Sequence, residues 1–316
     1  MTAAAHSAHT APDLPPRRIA IVGSPTALGG HLAGMERTPE ELRSRGLVER
    51  LRSRPQRTGV AWDDRGDAAN DPGWAPDPDP RAKNRGRIVE YLGRLADHVA
   101  ASLGPDPVVR LLVLGGDCTS HAGALAGIRR ARPGIRLGLA WFDAHGDFNT
   151  PDTTPSGNVW GMPFAMACGR GDADLVAACD GPTIREADAA LLGGQVLDET
   201  EARMLATSAV AQFGAGMLAD EAGMAALDGW ARAVASRVDA FYVAFDLDAL
   251  DARDGWAVMM PEPDGLSLET AVRAIRTIAG AAPIAGFGAT AARFGHGGDA
   301  DRTVEGIATL TEAALG

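Results

Sequence analysis

Three apolar runs in this 316-residue chain each end in a knot of acidic residues, and this repeated junction restricts the fold more than any other feature. The runs are LLVLGGDC (111–118), AWFDAHGD (140–147) and YVAFDLDALD (242–251). Short apolar segments without helical spacing read as strands buried on both faces. These three strands are expected at about 109–114, 136–142 and 240–246, and further ones near 17–25, 58–64, 190–197, 208–213 and 283–288. Segments with helical periodicity lie between and after them, at 39–53, 84–104, 217–236, 267–279 and 301–315. Such alternation predicts a single three-layer α/β domain: a parallel sheet of about eight strands with helices on both faces. In that architecture ligands bind at the carboxyl ends of the strands, where the acidic knots fall.

Residues 1–16 read as a disordered tail and 17–316 as the domain. The stretch DAANDPGWAPDPDP (67–80) is polar and rich in proline and glycine, an insertion loop in an otherwise continuous pattern. The formal net charge of −11 speaks against nucleic acid and anionic membrane surfaces as partners. No apolar run approaches the roughly 20 residues of a membrane helix, and the N-terminus lacks the pattern of a secretory signal. Cys118, Cys168 and Cys179 are an odd trio in a long chain, which argues against a disulfide framework and for a reducing, cytoplasmic setting.

The chemistry lies in the acidic knots. Asp143, His145 and Asp147 stand at i, i+2 and i+4, and Asp246 and Asp248 at i and i+2. On an extended chain such spacings project side chains to one face. Four carboxylates in one cleft repel one another, and burying even one ionised carboxylate is costly. Divalent cations convert that repulsion into ligation. Taken singly, each residue has a plainer reading: Asp117 and Asp251 suit helix caps, and a lone loop histidine is usually solvated. Two such motifs after apolar strands in one chain favour the metal reading. Oxygen ligands with one imidazole suit Mn²⁺. A pair of such ions generates hydroxide from water near neutral pH, which points to hydrolysis at an electrophilic carbon without a covalent intermediate.

GGDC (115–118), DAHGD (143–147), AFDLDALDA (244–252) and PEPDGLS (261–267) together resemble the ureohydrolase family of arginase, agmatinase and formiminoglutamase, from Arg17 onward. The resemblance implies an eight-stranded parallel sheet with a binuclear Mn²⁺ site at its carboxyl edge. It implies that Asp143 and Asp246 bridge the metals, that Cys118 and Asp147 complete one site, and that His145 and Asp248 complete the other. Asp147 would also orient the hydroxide. The arginase branch is the nearest: DFNTPDTTPSGN (147–158) matches the loop that holds the substrate α-carboxylate, which assigns Asn149, Thr154 and Ser156 to that group. By composition alone the same loop is a polar, turn-rich segment. Asp198 and Glu201 match the pair facing the α-amino group. A small-molecule amino-acid substrate and a homo-oligomer, trimer or hexamer, are implied likewise.

Three positions depart from the family pattern. Cys118 replaces a histidine ligand; as a thiolate it is softer and favours Zn²⁺ or Fe²⁺, so that one metal would be held more weakly, and it also suits a small buried apolar site. Nearby His121 is expected to be helix-packed or solvated rather than in the cleft. Trp160 replaces a second histidine, at a catalytic position; an indole cannot act as acid or base but stacks on a planar head group. Ala291 stands about where a glutamate pairs with the guanidinium. Two readings follow: an amidinohydrolase acting on a guanidino-type amino acid, modified for example as a hydroxyguanidine, or a catalytically lapsed relative that binds an amino acid or serves as a partner subunit.

Overall fold

Strand β1 (Arg17–Ser24) opens the domain, and β2 (Val60–Asp67), β3 (Arg110–Gly115), β4 (Leu137–Asp143), β5 (Ala189–Gly193), β6 (Ala211–Phe213), β7 (Ala240–Asp246) and β8 (Ile284–Thr290) follow. All pair in parallel in the order β2-β1-β3-β8-β7-β4-β5-β6. The computed structural model describes residues 17–54, 59–69 and 79–316. The tail 1–16 and most of the 67–80 loop lie outside the described residues.

The helices include α1 (Thr38–Ser44), α2 (Leu47–Ser53), α3 (Arg85–Leu103), α4 (Thr119–Ala131), α5 (Pro163–Ala167), α6 (Ala173–Ala178), α7 (Glu199–Ala206), α8 (Ala215–Leu218), α9 (Glu221–Ala235), α10 (Leu268–Ala281) and α11 (Ala300–Leu315). The helix expected over 39–53 is two helices, because Gly46 turns left-handed at φ 80°. The one expected over 217–236 restarts at Asp220, whose carboxylate caps α9 by accepting the Gly223 N–H. The strand expected over 190–197 stops at Gly193, the first of two consecutive left-handed glycines.

Period-two alternation explains why the strands read as continuous apolar runs. Ile19, Ile21, Leu112, Leu114, Val243 and Phe245 face one core, with residues of α2, α9, α10 and α11. Their neighbours Ala20, Val22, Leu111, Val113, Tyr242 and Ala244 face the other, with residues of α3, α4 and α5. Both faces are therefore dry, as a parallel sheet requires.

The glycines after β3 serve a close crossing of backbones. Gly116 N–H donates to Ser24 O at 2.8 Å and Asp117 N–H to Thr26 O at 3.0 Å. A Cβ on Gly116 would lie 2.0 Å from Thr26 O, a backbone atom that cannot swing aside. Fully buried Asp117 accepts the Gly29 N–H at 2.8 Å and the Thr119 N–H at 3.0 Å, so it ties the loop after β1 to the start of α4. Asp251 also acts as a cap, accepting the Arg253 N–H at 2.9 Å. Both aspartates thus take the plainer of the roles considered from sequence.

Two alanine substitutions should have opposite signs. Gly116→Ala is expected to lower the unfolding free energy by about 3 kcal/mol. Gly93→Ala in α3, where a Cβ meets nothing within 4 Å, should raise it by about 0.5–1 kcal/mol. Urea denaturation of the two variants checks both.

Candidate metal centre

A cavity of about 320 Å³ opens at the carboxyl ends of β3, β8, β7 and β4, four neighbouring strands in mid-sheet. Every residue singled out from the sequence for metal or substrate lines it: Cys118, Asp143, His145, Asp147, Asp246 and Asp248, with Asn149, Thr154, Ser156, Asp198, Glu201 and Trp160. Ala291 lines it too.

Strand alternation is not what gathers the acids. β4 ends at Asp143, and the chain then turns, so that Asp147 adopts a left-handed conformation with φ 48°. Short side-chain-to-backbone hydrogen bonds set the turns. The His145 N–H donates to Asp143 Oδ1 at 2.7 Å, and the Asp248 N–H to Asp246 Oδ1 at 2.9 Å. The Ala144 N–H donates to Asp248 Oδ1 at 3.0 Å and stitches the two strand ends together. Such Asx turns are a habit of aspartate at chain reversals. The expected convergence occurs, but its cause is turn chemistry.

Two triads of potential ligands result, Cys118–Asp143–Asp246 and Asp143–His145–Asp248, each with one donor atom per residue within 4.8 Å of the others. Asp143 is common to both. Asp147 belongs to neither triad, yet it is buried and its Oδ2 has no hydrogen-bond partner among the described residues. Burial pushes the Asp147 carboxyl well up, and the charges of Asp143 and Asp246 push it further. Asp246 is raised by burial and then by Asp248 and Asp143. Asp248 is raised to about 6 by burial and by Asp143, against the pull of His145. Burial lowers His145, but its hydrogen bonds to Asp143 and Asp248 outweigh this and hold it at about 12. The Cys118 thiol, raised by burial and by Asp246, donates to Asp246 Oδ2 at 2.8 Å. An orphaned buried carboxylate oxygen within a cluster of acids is what a divalent cation would satisfy. Oxygens with one imidazole and one sulfur form a donor set that suits a transition metal.

At the cavity's outer end, Thr154 Oγ1 accepts the Gly157 N–H at 3.0 Å and Ser156 Oγ accepts the Asn158 N–H at 3.2 Å. The two hydroxyl oxygens lie 3.5 Å apart, so one hydroxyl can donate to the other, which is left to donate outward to an anion. Asn149 behaves otherwise. Its amide donates to Asp198 Oδ2 at 2.8 Å and Glu201 Oε1 at 3.3 Å, and its Oδ1 accepts from Thr153 at 2.9 Å. It braces the loop against the acidic pair. Asp198 caps α7 through Oδ1. Glu201, pushed up to about 7 mainly by burial, accepts the Phe148 N–H at 2.9 Å. Gly146 admits that carboxylate, because a Cβ there would lie 2.4 Å from Glu201 Cδ.

The remaining wall is apolar. Trp160 donates its backbone N–H to Gly29 O at 3.0 Å and lies on Gly30, where a Cβ would come within 2.4 Å of two indole carbons. Met35, Met259 and Ala291 form a small apolar cluster with Trp160. Ala291 has φ 61°, held by its N–H to Gly116 O and by the Met259 N–H to its own carbonyl, both at 2.8 Å. An alanine there costs about 1–2 kcal/mol in backbone strain.

The chain matches the Arginase family model over residues 17–289. That span covers most of its length. The chain belongs to the arginase family. It is 32% identical over 267 residues to the arginase of Bacillus caldovelox, covering 83% of this chain and 86% of that one. The solved structure of the Bacillus caldovelox arginase superposes with a TM-score of 0.83 at 29% identity, covering 95% and 98% of the two chains. Arginase from Bacillus cereus does so with 0.82 at 28%, with the same coverage.

Several lining residues of this arginase-family hydrolase escaped the sequence reading. Met35 opens a three-residue 3-10 helix, Met35–Arg37, too short for any periodicity to reveal it. Met259 and Met260 precede the PEPDGLS motif and Glu262 lies within it, its Oε1 3.8 Å from His145 Nε2; proximity to a recognised motif was the available signal. His121 is buried rather than solvated, bonded to Tyr242 Oη and Thr290 Oγ1 at 3.1 Å each, and is not a lining residue. Burial lowers it to about 3, so it is neutral. Among the described residues no helix is long and apolar enough to cross a membrane.

Removing one of the crowded acids should help the chelator-treated protein and harm the loaded one. Asp147→Asn is expected to raise the melting temperature in EDTA by about 2–4 °C and to abolish most of the rise that Mn²⁺ produces. A lower melting temperature in EDTA would show that the Asp147 charge is compensated within the protein.

Proposed function

We propose that the chain is a metal-dependent amidinohydrolase, arginase-like, that cleaves a C–N bond in the guanidino-type side chain of a free α-amino acid. The observation that carries the reading is the unpartnered buried Oδ2 of Asp147 beside two ligand triads, in a cavity whose other end carries the hydroxyls of Thr154 and Ser156. A bound pair of divalent cations, Mn²⁺ foremost, supplies the charge that acidifies water and polarises the head group. Asp143, Asp246, Cys118, Asp147, His145 and Asp248 would hold the two ions.

The chain's own groups do the rest. Thr154 and Ser156 donate to the α-carboxylate. Asp198 and Glu201 accept from the α-ammonium, while Asn149 keeps the two in register. Asp147 orients the attacking water and takes up its proton. Trp160 lies along the planar head group and excludes bulk water. The departing nitrogen takes a proton as the C–N bond breaks.

Trp160 also favours a second reading, in which catalysis has lapsed and an amino-acid-binding or partner-subunit role remains. The indole has no acid–base function, and Ala291 offers no anion.

Metal analysis of protein purified without chelator separates the two. The hydrolase reading expects about two divalent ions per chain after loading and release of urea or hydroxyurea from arginine or hydroxyarginine. Failure to bind Mn²⁺, Fe²⁺ or Zn²⁺ after loading would sink it. Cys118→His should raise Mn²⁺ affinity by about tenfold, read by calorimetry; an unchanged affinity would put position 118 outside the ligand shell.

A further inference from the structure

The wall around the head group differs chemically from the rest of the cavity. Fully buried Met35, half-buried Met259 and buried Ala291 pack with Trp160. Among the described residues no lysine or arginine lines the cavity, and most of its acids are already engaged. Asp143 accepts from His145 and Trp141, Asp246 from Cys118 and Asp248, and Asp248 from Ala144. Asp198 and Glu201 hold Asn149 at the amino-acid end. Two lining acids remain: Glu262, whose Oε1 is 3.8 Å from His145 Nε2, and Asp147, whose unpartnered Oδ2 lies among the candidate metal ligands.

A guanidinium seated here would face cations on one side, once metal is bound, and methionine and alanine on the other. A buried cation without an anionic partner is poorly tolerated. An uncharged planar group loses little there. Methionine side chains adapt to irregular apolar groups, and the indole offers a flat contact. One part of the indole is already covered by Gly30, and His31 meets its ring edge-on at 5.1 Å.

We propose that the head group taken by this pocket is uncharged and carries an apolar substituent on its outer nitrogen, as in an N-alkylated urea, lodged against Met35, Met259, Trp160 and Ala291. The inference rests on the amino-acid hydrolase reading of the same site and replaces the guanidino-type head group of that reading with a ureido one. For such a substrate, water adds its oxygen to the urea carbon, the bond to the chain nitrogen breaks, and that nitrogen gains a proton. The products are a free ω-amine and an N-alkylcarbamic acid, with no change of oxidation state.

Isothermal titration of the Mn²⁺-loaded protein with norvaline, arginine, citrulline and N′-ethylcitrulline tests this. Norvaline has no head group and reports the amino-acid end alone. N′-ethylcitrulline should bind about tenfold more tightly than citrulline, at about fourfold for each buried carbon, and at least tenfold more tightly than arginine. A smaller preference over arginine, or any preference for arginine, overturns the head-group inference. If that happens while norvaline binds, the amino-acid reading stands; if none of the four binds, both fall. Two variants give independent checks. Met259→Ser should weaken N′-ethylcitrulline several-fold and leave citrulline within twofold; equal losses for both ligands would contradict the apolar contact. Ala291→Glu should shift the preference toward arginine.

Discussion

Mutual repulsion of buried carboxylates is the constraint on which the rest of this structure depends. Asp143, Asp147, Asp246 and Asp248 are each 5% exposed or less and share one cavity. Burial and like charge raise the carboxyls of Asp147, Asp246 and Asp248. A packed domain keeps such a cluster only if something opposes the repulsion. Part of the opposition is internal: backbone N–H groups at 2.7–3.0 Å, His145 and the Cys118 thiol. Asp147 Oδ2 is left over. The same residual acceptor makes the cavity a candidate metal centre, so the energetic problem and the function have one origin.

The sheet is the scaffold that makes this crowding possible. β3, β8, β7 and β4 are adjacent, and their carboxyl ends deliver Cys118, Ala291, Asp246 and Asp143 to one rim. Strands with two dry faces cannot shift register cheaply, since a one-residue slip exchanges the two cores. The rim is therefore rigid where ligand geometry matters. Loops with less regular constraint, carrying Met35, Trp160 and Met259, supply the wall that faces the head group.

Much of the fold was legible because a parallel sheet leaves a strong trace: apolar runs alternating with amphipathic helices. The errors fell where local geometry overrides periodicity, as at left-handed Gly46 and at the Asp220 cap. The acids of the site were legible from motif spacing, though the strand-face rationale for them was incorrect. The loop match assigns Asn149 to the substrate carboxylate; only the fold adds that its amide also bonds Asp198 and Glu201.

The sequence by itself determined the layer architecture, the family and the identity of the acids, because each is written in local pattern and residue type. Only the tertiary structure decided which oxygen lacks a partner, that the Asn149 amide also bonds Asp198 and Glu201, and that Met35 meets Ala291 and Trp160 across the cavity. These are contacts between segments far apart in the chain. Their energies come from burial and distance, which no run of neighbouring residues records.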